Sequence, residues 1–114
     1  MPLTDSAKNI GLDDIGASAT HIALFNGDPS GVGVEISGGS YARQSITWNT
    51  ASAGNLDSIN TPTFTVPAGS TVNYLALYTA LTGGTLLGYR AITSQTFATE
   101  GSLVVSDFDI ALND

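Results

Sequence analysis

The stretch VNYLALYTALTGGTLLGYRAI, residues 72–92, decides the fold class. Its first half is apolar on both faces, which is typical of a central strand covered on both sides. Residues 82–84, Thr-Gly-Gly, form a hairpin turn signal, and residues 86–92 follow as the partner strand. This stretch therefore predicts an antiparallel hairpin at the centre of a sheet.

Short apolar segments separated by turn formers lie on both sides of this hairpin. They cover residues 20–25, 34–36, 41–48, 59–66, 95–98 and 103–112. In the last of them, Val104, Phe108, Ile110 and Leu112 fall on one face if the strand is continuous. The regular spacing predicts an all-β fold, a single β-sandwich or jelly-roll-like domain with about seven or eight short antiparallel strands.

Residues 4–16 are the part of the chain that can form a helix. Thr4, Asp5 or Ser6 could cap it, and Gly16 is a plausible C-terminal stop. We therefore predict two parts, an N-terminal arm or short helix over residues 1–17 and a β-sandwich domain over residues 18–114.

The composition excludes several function classes. The net charge is -7, from ten acids and only three bases, whereas binding to phosphates needs clustered Lys and Arg. Nucleic acid and anionic membrane surfaces are therefore not expected partners. The chain has no cysteine, and no apolar run approaches the roughly 18 residues of a membrane span. Its N-terminus also lacks the features of a secretion signal, so we expect synthesis in a cytoplasm.

The sequence also argues against an enzyme. A nucleophilic triad needs a base beside a serine or cysteine, and the one histidine, His21, starts an apolar segment typical of a packed or rim position. No Gly-x-Ser-x-Gly elbow is present, and the glycines at 31–34 do not follow the dinucleotide pattern. We predict no catalytic residues and no cofactor.

Two carboxylates, Asp107 and Asp109, are predicted on one face of the last strand, about 7 Å apart by strand geometry. The favoured interpretation is a solvated polar face. A calcium site completed by loop carbonyls and a glycosidase-type carboxylate pair are the alternatives. Asp28, within Asn-Gly-Asp-Pro at 26–29, is interpreted as a turn residue that accepts backbone hydrogen bonds.

Arg43 is predicted in mid-strand beside aromatic residues, in a chain with almost no other positive charge. It can pair with Glu35 across the turn at 38–39 or stack on a tyrosine. The alternative is a contact with an acidic patch of a neighbouring subunit. Asp28, Tyr41, Arg43 and Trp48 are the candidate interaction residues.

The run ALFNGDP, residues 23–29, followed by GVEISGGSYARQ, residues 33–44, resembles a family of small bacteriophage virion proteins. Members are often labelled tail fibre or minor tail proteins. The similarity extends over the chain to a Leu-Gly-Tyr segment at 87–89. It implies a non-enzymatic structural role in a phage particle, and therefore a virion component made in the cytoplasm of a host bacterium.

The position in the particle is a separate question. A fibre normally needs length, repeats or a trimeric stalk, and this chain has none of these. We therefore expect a capsid decoration (minor capsid) protein that binds the outer shell, partnered by the major capsid protein and by its own copies as a dimer or trimer. The alternative is a minor tail or tail-fibre protein, or a receptor- or glycan-binding module at the tail, where Trp48 and Tyr41 could stack on sugar rings.

Overall fold

A computed structural model describes residues 2–112 of the chain. Its elements are α1 (Asp5–Ser18), β1 (His21–Asn26), β2 (Val34–Glu35), β3 (Gln44–Ser45), β4 (Asn55–Asp57), β5 (Thr63–Val66), β6 (Ser70–Tyr78), β7 (Leu86–Phe97), β8 (Gly101–Val104) and β9 (Asp109–Ala111). Residue 1 and residues 113–114, which the two predicted parts include, lie outside the described residues. The described chain thus combines one helix with nine strands, where the sequence predicted about seven or eight strands.

The N-terminal helix is confirmed, with a later end than expected. Thr4 caps it, because the Thr4 hydroxyl accepts a hydrogen bond from the Ala7 backbone N–H at 3.2 Å. The helix continues past Gly16 to Ser18 and buries Leu12. Within residues 2–112, no helix has the length and apolar character needed to cross a bilayer.

The larger sheet is built around the predicted hairpin. Its strand order is β2–β1–β6–β7, and β3 also pairs with β1, always in antiparallel fashion. The central position of β6 and its hairpin with β7 are therefore confirmed. The predicted separate strand at 95–98 is wrong, because β7 runs on to Phe97 after a register shift opposite Val72 and Tyr74.

The second layer consists of two short antiparallel pairs, β5 with β8 and β4 with β9. The prediction of one continuous strand over 103–112 is wrong, because the chain leaves β5 after Val104 and joins β4 at Asp109. Because of this break, the side chains that face the core near the end of β8 are not the ones predicted. Leu103 and Val105 are buried, while Val104 is 55% exposed. The predicted loop at 49–58 contains β4.

The core lies between these two layers. It is formed by Ala19, Ile22, Leu24, Ile36, Ile46, Phe64, Val66, Val72, Leu75, Leu77, Leu103, Val105 and Phe108. A smaller cluster of Leu12, Ala51 and Leu56 fixes α1 to β4. The all-β fold class is therefore confirmed, with the helix as an addition at one side of the sheets.

The turn after β1 depends on a close approach of two glycines. Gly27 has a φ of +94°, and a Cβ added at Gly33 would collide with the Gly27 carbonyl and lie 2.6 Å from the Asp28 carbonyl oxygen. We expect Gly33→Ala to lower the free energy of unfolding by about 1–3 kcal/mol, because backbone must move to admit the methyl group. Urea denaturation measures the effect.

Gly31→Ala is the matched control for this change. The nearest atom to a Cβ at Gly31 is the Asp28 carbonyl oxygen at 3.9 Å, which is ordinary contact. Its effect should stay within about 0.5 kcal/mol. Equal losses of stability in the two variants would contradict the close packing of Gly33 against Gly27.

Candidate functional site

The edge of β1 is where the residues that carry the sequence resemblance meet. β2 pairs with one end of this edge and β3 with the other, and the Ile36 N–H still donates to the Leu24 carbonyl at 2.9 Å, while residues 37–43 leave the sheet. The Tyr41 hydroxyl fills the gap, since it accepts a hydrogen bond of 3.0 Å from the Leu24 backbone N–H. A side chain therefore replaces the missing strand neighbour, as a buried N–H requires.

Arg43 holds this edge together. Its Nε and Nη2 donate to the two carboxylate oxygens of Glu35, each at 2.9 Å, and the Tyr41 hydroxyl donates to Glu35 Oε2 at 2.8 Å. The Arg43 Cζ atom lies 3.8 Å from the ring centroid of Tyr78. We call Glu35, Tyr41, Arg43 and Tyr78 the Arg43 cluster. Both predicted internal contacts of Arg43, the pair with Glu35 and the stacking on a tyrosine, are confirmed.

The same guanidinium also binds the turn between β6 and β7. Its Nη1 donates to the Ala80 carbonyl at 3.0 Å and to the Gly83 carbonyl at 2.8 Å. Only 9% of the Arg43 side-chain surface stays exposed. Arg43 thus connects three separate chain segments, and its charge is neutralised within the domain.

Arg43 and Tyr41 keep their usual protonation states around neutral pH. Hydrogen bonds to Glu35 raise the pKa of Arg43 above its ordinary value. Burial raises the pKa of Tyr41, and the neighbouring Glu35 carboxylate acts in the same direction. Arg43 therefore stays charged and Tyr41 stays neutral, which preserves the hydrogen bonds of both side chains to Glu35.

Asp28 is the turn residue that the sequence predicted. Its Oδ1 accepts from the Ser30 backbone N–H at 2.8 Å and from the Ser30 hydroxyl at 2.6 Å, and these bonds lower the pKa of Asp28. The Ser30 hydroxyl also lies 3.2 Å from the Tyr89 hydroxyl. The turn is thereby attached to the outer face of β7.

Trp48 lies where α1, the segment after β3 and the second layer meet. Its indole Nε1–H donates to the Ala19 carbonyl at 2.9 Å, and its ring contacts the Phe108 ring edge-on at a centroid distance of 6.1 Å. The half-buried ring also lines an open groove of about 420 Å³ together with Asp13 and Asn49. Trp48 therefore has a structural position as well as an accessible side.

Asp107 and Asp109 do not share one strand, so that prediction is wrong. Asp107 precedes β9, and Asp109 begins β9 directly opposite Asp57 of β4. The cross-strand neighbour Asp57 was missed because residues 49–58 are mostly small and polar and were therefore interpreted as a loop. Among residues 2–112, no group of three or more side chains is arranged to hold a metal ion.

The proximity of these acids has a consequence for Asp109. Partial desolvation raises the pKa of Asp109 to about 6, and the carboxyl groups of Asp107 and Asp57 act in the same direction. Like charges facing each other across two strands destabilise the pairing. The junction of β4 and β9 is therefore more stable when Asp109 carries a proton.

This shift predicts a pH dependence of stability. An aspartate in an unfolded chain titrates at about pH 4. The pKa of Asp109 is higher in the folded protein. The stability that protonated Asp109 contributes is therefore complete below about pH 4 and is lost as the pH rises through about 6. We therefore expect the melting temperature of the parent protein to decrease between pH 4 and 7. Asp109→Asn should reduce this decrease and raise the melting temperature modestly at pH 7. Thermal unfolding by circular dichroism measures both effects.

Asp14→Asn provides the control, since Asp14 is an exposed acid on α1. This variant should keep the slope of the parent protein. An unchanged slope in Asp109→Asn would mean that the three carboxyl groups do not interact in solution.

His21, the single histidine, begins β1 beside a threonine. Its Nδ1 lies 2.8 Å from the Thr20 hydroxyl, and that hydroxyl donates to the Thr79 carbonyl at 3.0 Å. His21 is half-buried and its ring contacts the threonine that precedes β1, in line with the packed or rim position predicted from sequence.

A protein-family model matches most of this chain. The family model described as podophage GP4 fiber I protein gp80 matches residues 16–113. The chain belongs to this family. The match covers the Arg43 cluster, Asp28, Trp48 and every strand of the fold. Comparison with curated proteins gives no match, and comparison with solved structures gives none.

Membership of this family bears on two predictions from the sequence, the kind of protein and its position in the phage particle. It supports the predicted resemblance to phage fibre proteins and the assignment to structural components of a phage particle. Between the two positions considered, it favours the tail-fibre alternative over capsid decoration.

Proposed function

We propose that this protein is a non-enzymatic structural subunit of the fibre apparatus of a phage tail, bound there to other virion proteins. The observation that carries this proposal is the family match over residues 16–113, whose description names a podophage fibre protein. The capsid decoration role remains the competing position for the same domain.

The contacts of the candidate residues support a structural role. The charge of Arg43 is paired with Glu35, the hydroxyl of Tyr41 completes the sheet, and the carboxylate of Asp28 holds a turn. These groups are engaged within the domain and do not converge on a substrate. Rigid domains of this kind serve as building blocks whose surfaces bind neighbouring proteins.

The surface charge points to the kind of neighbour. With ten acids and three bases, the protein repels nucleic acid and anionic lipid, and two of the three bases, Arg43 and Arg90, already bind groups of the same chain. Among other virion proteins, those that present neutral or basic patches are therefore the favoured partners.

Fractionation of purified phage tests this proposal. Particles would be dissociated into capsid and tail fractions, and the copy number of this chain in each would be measured by quantitative mass spectrometry. We expect a small number of copies, all with the tails. Amounts stoichiometric with the major capsid protein in tail-free capsids would overturn the proposal and support decoration of the shell.

A further inference from the structure

β7 has one free edge. This strand pairs with β6, and no other strand in residues 2–112 pairs with it. At twelve residues it is the longest strand of the fold. A long unpaired edge is a template for strand addition by another chain, and proteins usually shield it.

The backbone groups displayed at this edge follow from the strand register. The Thr20 N–H donates to the Tyr78 carbonyl at 3.1 Å, so Tyr78 directs its backbone groups toward β1. Alternation in an antiparallel sheet then turns Tyr89 and Ala91, which lie opposite Ala76 and Tyr74, away from β6. Their N–H and C=O groups are free to bond with a further strand.

Register shifts of the β6–β7 pairing flank residues 88–91, but the protection by proline and by several charges is absent from this edge. Between Leu86 and Phe97 the sequence contains neither proline nor lysine, and Arg90 is its one charged residue. Leu87 and Tyr89 are 43% and 48% exposed. An open groove of about 410 Å³ runs beside the edge and is bounded by residues 87–90 and 108–112. Apolar side chains of an added strand would find contacts there.

The distribution of charge indicates the occupant. All ten acids lie outside residues 58–99, and Arg90 is the single charged residue of that range. Asp107 and Asp109 lie beside the groove, but β7 itself carries no acid. Two copies of a chain with net charge -7 therefore repel each other least along this strand. An antiparallel pairing of two identical strands is also self-complementary about a twofold axis.

We propose that the free edge of β7 is a self-association interface, at which β7 of a second copy adds as an antiparallel strand. The pairing joins two sheets into one continuous sheet through the backbone groups of Tyr89 and Ala91. Pairing Tyr89 of one copy with Ala91 of the other would set Arg90 opposite its own copy, which is disfavoured because like charges directly across a strand pair destabilise it. Pairing Tyr89 with its own copy sets Arg90 opposite Gly88 and avoids this repulsion. This inference holds wherever the protein sits in the particle.

Sedimentation and amide hydrogen exchange of the full chain test the proposal together. We expect reversible dimerisation, with exchange at Tyr89 and Ala91 slowing as protein concentration rises. Ala91→Pro removes an outward N–H without breaking a bond to β6, and should weaken dimerisation about tenfold or more. Ala98→Pro, at an exposed position just after β7, is the matched control and should dimerise like the parent.

Several results would overturn the proposal. These are a parent protein that stays monomeric, a dimer whose Tyr89 and Ala91 amides exchange as fast as in the monomer, and a dimer equally stable in Ala91→Pro. Protection of these amides only after addition of another purified virion protein would assign the edge to that partner instead. If Ala91→Pro does not fold, the exchange measurement on the parent protein alone decides.

Discussion

Trp48→Ala is expected to destabilise the protein by about 2–4 kcal/mol, somewhat less than removal of a fully buried aromatic side chain, because one side of the ring is accessible. The substitution would remove the contact with Phe108 and the hydrogen bond to the Ala19 carbonyl. It would also leave a cavity beside Gly16, whose neighbourhood the indole fills. Chemical denaturation followed by circular dichroism gives the change in the free energy of unfolding.

Trp48→Phe separates the two contributions. It keeps an aromatic ring near Phe108 but leaves the Ala19 carbonyl without its donor, so a loss of about 1–2 kcal/mol is expected. A loss below about 1 kcal/mol in Trp48→Ala would show that the ring is not packed in solution. Loss of glycan binding in that variant would be uninformative, because partial unfolding would produce it as well.

The second large effect is expected for Arg43→Ala, which should cost about 2–4 kcal/mol of folding free energy. The change leaves the Glu35 carboxylate without its cationic partner and the carbonyls of Ala80 and Gly83 without a donor. Because Glu35 keeps 28% of its side-chain surface exposed, water can replace part of the lost interaction. Thermal and urea denaturation at neutral pH measure the loss.

Two further variants sharpen this test. Arg43→Lys keeps the charge but not the planar fork that contacts both oxygens of Glu35, and it should recover less than half of the stability. Arg90→Ala is the matched control, because Arg90 is exposed, donates to the Asp107 carbonyl at 3.1 Å and lies over the Phe108 ring at 4.9 Å, but pairs with no carboxylate among the described residues. An Arg43→Ala loss no greater than that of Arg90→Ala would contradict the role given to the Arg43 cluster.

Local patterns were sufficient where a contact depends on residues close in sequence. The hairpin of β6 and β7 follows from apolar strands flanking a Thr-Gly-Gly turn. The Arg43–Glu35 pair follows from two opposite charges on either side of a glycine turn in a chain with few charges. In both cases the information lies within a few residues.

Sequence patterns did not predict features that depend on pairing between strands far apart in the sequence. The split of 103–112 into β8 and β9 arises because this segment changes partner from β5 to β4, and alternation within one segment cannot reveal that change. The approach of Asp57 to Asp109 has the same origin. No residue pattern in this chain distinguishes a tail position from a capsid position. The argument from chain length favoured the capsid, whereas the matching family is a fibre family.

Residues 37–40, which leave the sheet between β2 and β3, form a site where this domain can carry a foreign peptide. The Tyr41 hydroxyl, and not this segment itself, completes the hydrogen bonding of β1, and Gly38 and Gly39 are exposed. Each doubling of a flexible loop costs only about 0.6 kcal/mol. An epitope placed between these two glycines should therefore be tolerated, and it would appear on the particle wherever this protein is mounted.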